Sequence, residues 1–201
     1  VLAIIEAAGW PIWPIIAASV IALGIIGERL WTLRAGSVAP RGLLETTLRE
    51  YAASGVSQEW LQRLSDGSLL GRVFAAGLRN ETSSRDVMKE AIEEAGRAAA
   101  HELGRFLSGL GTIASIAPIM GLLGTVIGMI EIFGSQGPTG ASPAQLAHGI
   151  SVALYNTAFG LIVAIPSMIF YRYFRARVDA LVVEMEQQAV KLVEMLHGDR
   201  R

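Results

Sequence analysis

The chain has 201 residues, a formal net charge of −1 and no cysteine. Disulfides, thiolate catalysis and cysteine-based metal sites are therefore excluded, and the near-neutral balance offers no footprint for nucleic acid. The mean hydropathy of +0.44 conceals a split: residues 7–27, 106–130 and 132–171 carry no Asp, Glu, Lys or Arg. A water-soluble core does not need such runs. A membrane-spanning helix does, because it takes roughly 20 mainly apolar residues and must satisfy its own backbone in hydrocarbon.

In chain order, Val1–Gly9 has one acid, Glu6, and no basic residue before the apolar run, so a cleaved secretory signal is not expected here. Residues 1–10 are expected outside the membrane, with Val1–Ala8 as a short apolar helix on its surface. Residues 11–33 form the first span, from about Ile12 to Leu30. Trp10 and Trp13 at its start and Trp31 at its end match the aromatic belts of the two interfaces, and Pro11 and Pro14 suit the first turn. With its bulky aliphatic residues, this span is expected to face lipid.

Residues 34–105 read as a helical, soluble region. Apolar residues recur at helical spacing over Leu43–Tyr51, Trp60–Leu64 and Leu69–Phe74, with breaks at Ser54-Gly55, Asp66-Gly67-Ser68 and Asn80–Ser84. Ser83 or Ser84 caps a long helix. No proline interrupts it before the second span, 106–132. The expectation is one helix from about 85 to 132, roughly 70 Å long, kinked only at Pro118. Residues 133–143 form a turn-rich loop. The third span, 144–171, continues as an amphipathic helix to about Leu196 within the tail 172–201.

All 17 Lys and Arg lie in 29–105 or 172–201. The positive-inside rule then puts those segments in the cytoplasm, with the N-terminus and the 133–143 loop outside. The fold class expected is an all-α membrane protein with three spans and long cytoplasmic helical extensions.

Small residues fall at Ala117, Gly121, Gly124 and Gly128 in the second span and at Ala153, Thr157, Gly160 and Ala164 in the third. The common four, three, four spacing makes one stripe on each helix, and such stripes let backbones approach closely in a bilayer. The plain reading is helix packing. A lone membrane Thr serves its own backbone, but Thr125, Thr157 and Asn156 at similar depth point to a shared polar lining. No ionisable side chain lies deep in a span, and Glu131 and His148 sit near the outer ends, where a charge reaches water. The chain therefore holds no proton relay of its own at the membrane centre. It shows no HExxH, P-loop or hydrolase triad pattern, and its three His are scattered, so neither enzyme, metal nor cofactor is indicated.

Ser115-Ile-Ala-Pro-Ile-Met-Gly-Leu-Leu-Gly-Thr-Val-Ile-Gly-Met129 and Gly149-Ile-Ser-Val-Ala-Leu-Tyr-Asn-Thr-Ala-Phe-Gly-Leu-Ile-Val-Ala-Ile-Pro166 resemble the second- and third-span signatures of the ExbB/TolQ/MotA proton-channel family. Trp10-Pro-Ile-Trp-Pro with Glu28-Arg-Leu is similar to the first span of ExbB and TolQ. Three spans resemble those two rather than MotA, which has four. The resemblance implies an inner-membrane motor subunit: a homopentameric ring in lipid around a dimer of a single-span ExbD- or TolR-like partner, whose Asp carries protons and whose motion energises TonB or TolA. It implies that Thr125 and Thr157 face the pore and that Pro118 and Pro166 are the family's span prolines. The departure is Val152, where ExbB and TolQ usually carry Glu. It moves more of the proton path onto the partner's Asp, the two threonines and water. It also supports a second reading, a scaffold ring that does not conduct. A TolQ role in the Tol-Pal envelope system stands beside the ExbB role.

Overall fold

The computed structural model describes residues 8–134 and 142–197, and the described secondary structure is helical. The helices are α1 (Ile12–Thr32), α2 (Ala35–Val38), α3 (Leu43–Ser54), α4 (Gln58–Gly67), α5 (Leu69–Leu78), α6 (Arg85–Leu103), α7 (Leu107–Gly134) and α8 (Pro143–Leu196). Three stretches are long and apolar enough to cross a membrane: Ile12–Thr32, Arg85–Gly134 and Pro143–Leu196. Between 22% and 33% of their most apolar windows is buried within the chain. The remainder presents Val20, Leu23, Ile119, Leu122, Ile162 and Ile165 outward, a surface that suits lipid or other chains and not water. The expected surface helix Val1–Ala8 and the centre of the 133–143 loop lie outside the described residues, apart from Ala8 and the loop's edges.

The described chain divides into two compact units, residues 8–28 with 106–134 and 142–173, and residues 29–105 with 174–197. In the first, Ile12 and Ile15 of α1 are fully buried. Ile15 packs with Ala117, Val163 and Ala164, bordered by Ile113, Met120 and Phe159. α8 opens on a capping box: the Ser142 hydroxyl accepts from the Gln145 N–H at 3.3 Å while the Gln145 side chain accepts from the Ser142 N–H at 3.2 Å. Pro143 follows at the first helical position, where its missing N–H costs nothing. The helix then runs unbroken to Leu196, where the sequence placed a span followed by an amphipathic stretch.

The second unit is built on large apolar side chains. Leu70, Phe74 and Leu78 of α5, Met88 and Leu103 of α6, and Phe174, Leu181 and Leu192 of α8 are all at most 1% exposed. Each such burial stabilises by about 1.5–3 kcal/mol. Serine side chains cap three helices, Ser57 accepting from Trp60 N–H, Ser68 from Gly71 N–H and Ser84 from Val87 N–H. Arg29 is 3% exposed and donates to the Leu103 carbonyl at 3.1 Å. Trp60 Nε1–H donates to the Glu50 carboxylate. A hydrogen bond from Tyr51 to Glu81, then partial burial and the carboxylate's charge, raise the Tyr51 phenol above its ordinary pKa.

The single helix expected over 85–132 is corrected. α6 ends at Leu103, and Gly104 closes it by donating to Ala100 and Glu102 carbonyls. Phe106 then takes a left-handed φ of 64°, and α7 begins afresh at Leu107. The break falls where the charged sequence gives way to the uncharged run. Gly104 itself keeps a right-handed φ of −77°, so the turn of the chain is made at Phe106, where a left-handed conformation ends the helical path. Pro118 and Pro166 both lie inside continuous helices.

Candidate functional site

The two small-residue stripes meet each other. A Cβ placed on Gly160 would lie 2.5 Å from the Ala117 carbonyl oxygen and 3.1 Å from Gly121 Cα. One on Gly121 would lie 2.7 Å from the Asn156 carbonyl oxygen and 2.9 Å from Thr157 Cα, and one on Gly128 3.1 Å from Ala153 Cβ. α7 and α8 are therefore in backbone-to-backbone contact over Ala117–Gly128 and Ala153–Gly160, with Ala164 buried just beyond in the Ile15 cluster. Pro118 follows Ala117 directly and Pro166 lies further along α8; each removes the donor that would otherwise bond the carbonyl four residues earlier, of Ala114 and Ile162.

The three polar residues have different surroundings. Thr125 is half-buried, and its hydroxyl donates to the Leu122 carbonyl of its own helix at 2.6 Å. Asn156 is 2% exposed and lies against Gly124, where a Cβ would come 2.7 Å from its own Cβ. Its Nδ2 donates to the Ala8 carbonyl at 2.9 Å, tying α8 to the start of the described chain. Its Oδ1, and the neighbouring Thr157 hydroxyl, are buried with no hydrogen-bond partner among the described residues. Asn156 and Thr157 are thus brought together at the α7–α8 contact, while Thr125 is occupied by its own backbone. Ser151, Ser115 and Thr112 likewise bond the carbonyl four residues earlier in their helices.

Val152 lines a cavity of about 510 Å³ together with Ala8, Trp10, Gly124, Glu131, His148 and Asn156. Sequence reasoning took Glu131 and His148 separately, as charges near span ends. Their joint cavity had one local signal: His148 and Val152 are four apart on a helix and share a face. Asn156's link to Ala8 had none. Among the described residues, no three His, Asp or Glu side chains gather into a group that could hold a metal ion.

Residues 65–187 match the model of the MotA/TolQ/ExbB proton channel family. An ExbB-like biopolymer transport protein of Synechocystis sp. is 28% identical over 92% of this chain and 90% of its own length. The biopolymer transport protein exbB1 of Vibrio cholerae is 28% identical over 87% of this chain and 78% of its own. The Tol-Pal system protein TolQ of Pseudomonas aeruginosa is 31% identical over 91% and 84%. With three helices fit to cross a membrane and the close-packed pair α7 and α8 inside the matched region, the chain belongs to the MotA/TolQ/ExbB proton channel family.

Proposed function

We propose that this chain is the ring-forming subunit of an inner-membrane proton-driven motor, and that copies of it surround a single-span ExbD-type partner whose acid carries the protons. The observation that carries the reading is chemical. α7 and α8 put buried hydroxyl and amide groups at their contact, yet residues 106–130 and 132–171 have no charged side chain. A proton path through such spans needs a carboxylate from another chain, because an ionisable group at the bilayer centre is the usual mark of a proton relay. In this reading Thr125 and Thr157 face the pore, 29–105 and the C-terminus are cytoplasmic, and the segment before α1 and the 135–141 loop are outside. A proton falling through 100 mV releases about 2.3 kcal/mol, so several drive each mechanical step. That work energises TonB-dependent transport across the outer membrane.

The test is proton flux into vesicles carrying this chain together with a single-span ExbD-type partner. Replacing Thr125 and Thr157 together by Val is expected to lower flux about tenfold, the loss that follows from one or two missing hydrogen bonds in the conducting path. Unchanged flux would remove both threonines from the pore. The likeness to TolQ at 31% identity favours a second reading, a role in the Tol-Pal envelope system. Deletion distinguishes them: loss of TonB-dependent uptake supports the first, loss of envelope integrity the second.

A further inference from the structure

We propose that the cavity lined by Val152 is a water-filled vestibule within each chain, through which protons enter the spans, with Glu131 and His148 as the titratable groups at its mouth. The proposal rests on the proton-channel reading above. On α8 the cavity runs from His148 through Val152 to Asn156, and on α7 from Glu131 through Gly128 to Gly124. At 1.5 Å per residue it is roughly 10–12 Å deep. The mouth lies toward the end of the spans that leads into the 135–141 loop, and the floor lies inside the α7–α8 contact.

The floor identifies the occupant. Asn156 is 2% exposed, and its Oδ1 accepts no hydrogen bond from any described residue. A buried amide oxygen left without a donor is costly. An acyl chain in the cavity offers no donor, whereas water does. The space holds on the order of ten waters, given about 30 Å³ for each. Gly124, Gly128, Gly149 and Ala153 also line the cavity. Among the described lining residues, Glu131 and His148 are the titratable ones. Both are exposed to solvent or headgroups at the mouth, and the carboxylate there concentrates cations before they reach the amide. Thr157, whose buried hydroxyl also lacks a partner among the described residues, follows Asn156 directly in α8. A vestibule of this kind brings the proton two helical turns into the span without a carboxylate at position 152.

The chain has no cysteine, so a single introduced thiol reports water access without background. In membranes containing the assembled complex, Val152→Cys and, as a second cavity position, Ile127→Cys are treated with a cationic, membrane-impermeant methanethiosulfonate. Leu154→Cys, on the exposed face of α8, is the control. Both cavity thiols are expected to react at least about tenfold faster than the control, because the thiolate, which forms where water reaches it, attacks the reagent's sulfenyl sulfur and expels methanesulfinate. Glu131→Gln should slow the cationic reagent roughly threefold or more and leave a neutral one unchanged, since the carboxylate raises the local cation concentration. Cavity thiols that react only with lipophilic N-phenylmaleimide would show a lipid-filled cleft and overturn the proposal. Proton flux in the same membranes separates the two readings. Flux with unreactive cavity thiols sinks the vestibule alone, and reactive thiols without flux in the unsubstituted protein sink proton entry. The double variant Glu131→Gln with His148→Asn should cut flux several-fold, and full flux would overturn their role at the mouth.

Discussion

In the unit of residues 8–28, 106–134 and 142–173, the closest helix contact is made where side chains are smallest. In the unit of residues 29–105 and 174–197, helices meet where side chains are largest. The first places Gly121 against the backbone of Asn156 and Thr157 and Gly160 against that of Ala117. The second buries Phe74, Leu70, Met88, Leu103 and Phe174 almost completely. The difference follows from the surroundings each sequence is written for. Lipid tails are as apolar as Leu, so burying Leu between two spans gains little, and close backbone approach with many dispersion contacts must hold the pair. Water penalises exposed apolar surface, so the charged region gains most from burying bulk. The same contrast explains the surfaces: the first unit leaves Ile119, Leu122 and Ile162 exposed, while the second shows charge pairs such as Arg72 with Glu102 at 2.8 Å.

The largest effect is expected from cutting the second unit's core. Phe74→Ala removes a side chain that is 0% exposed, and such a deletion costs roughly 3–5 kcal/mol through lost burial plus the cavity left behind. The measurement is limited proteolysis or hydrogen exchange resolved over residues 43–103. Protection there should collapse while α7 and α8 keep theirs. Equal loss in both units would show that they unfold as one and would break the comparison.

The three long apolar helices were legible because charge-free runs are a gross property that no neighbour can disguise. The breaks at Gly55 and Ser68 were legible too: Gly55 takes a positive φ of 66° and Ser68 caps α5, roles those residues fill for local reasons. The spacing of the stripes pointed to close packing for the same reason, since it needs only one helix's geometry. The break at Gly104–Phe106 was hidden because a lone Gly inside a helical pattern costs only about 1 kcal/mol and is commonly tolerated. Nothing in a Phe announces a left-handed conformation. The bond from Asn156 to Ala8 joins residues 148 apart in sequence, a contact that no local pattern encodes. The cavity with Glu131 and His148 was hidden in the same way, because it exists only once α7 and α8 are aligned.

A middle-sized effect sharpens the contrast. Gly160→Ala puts a Cβ 2.5 Å from the Ala117 carbonyl oxygen and 3.1 Å from Gly121 Cα. Both neighbours are backbone and cannot rotate away, so α7 and α8 must separate, at a cost of about 1–3 kcal/mol. Thermal unfolding in detergent should show a lower midpoint, with loss of protection along α7 and α8. An unchanged midpoint would mean that the two spans part freely and that backbone approach does not hold them.

The smallest effect is the most discriminating, because it applies the same substitution to the other unit. A Cβ on Gly77 would lie 2.7 Å from Ile92 Cδ1 and 2.9 Å from Ile92 Cγ1. These are side-chain atoms that can turn about χ1 and χ2, at a strain of about 0.5–1.5 kcal/mol if the rotamer is forced off its minimum. Against this, exchanging Gly for Ala inside a helix stabilises by up to about 1 kcal/mol, less here because Gly77 is in the last turn of α5. Gly77→Ala should therefore change stability by less than about 1 kcal/mol in either direction, read as the urea midpoint of the second unit followed by exchange at Ala75 and Leu78. A loss as large as that of Gly160→Ala would show that Ile92 is locked in place by its own packing. Rigidity would then be a property of both units, and only the size of the residues at the contact would distinguish the lipid-facing fold from the water-facing one.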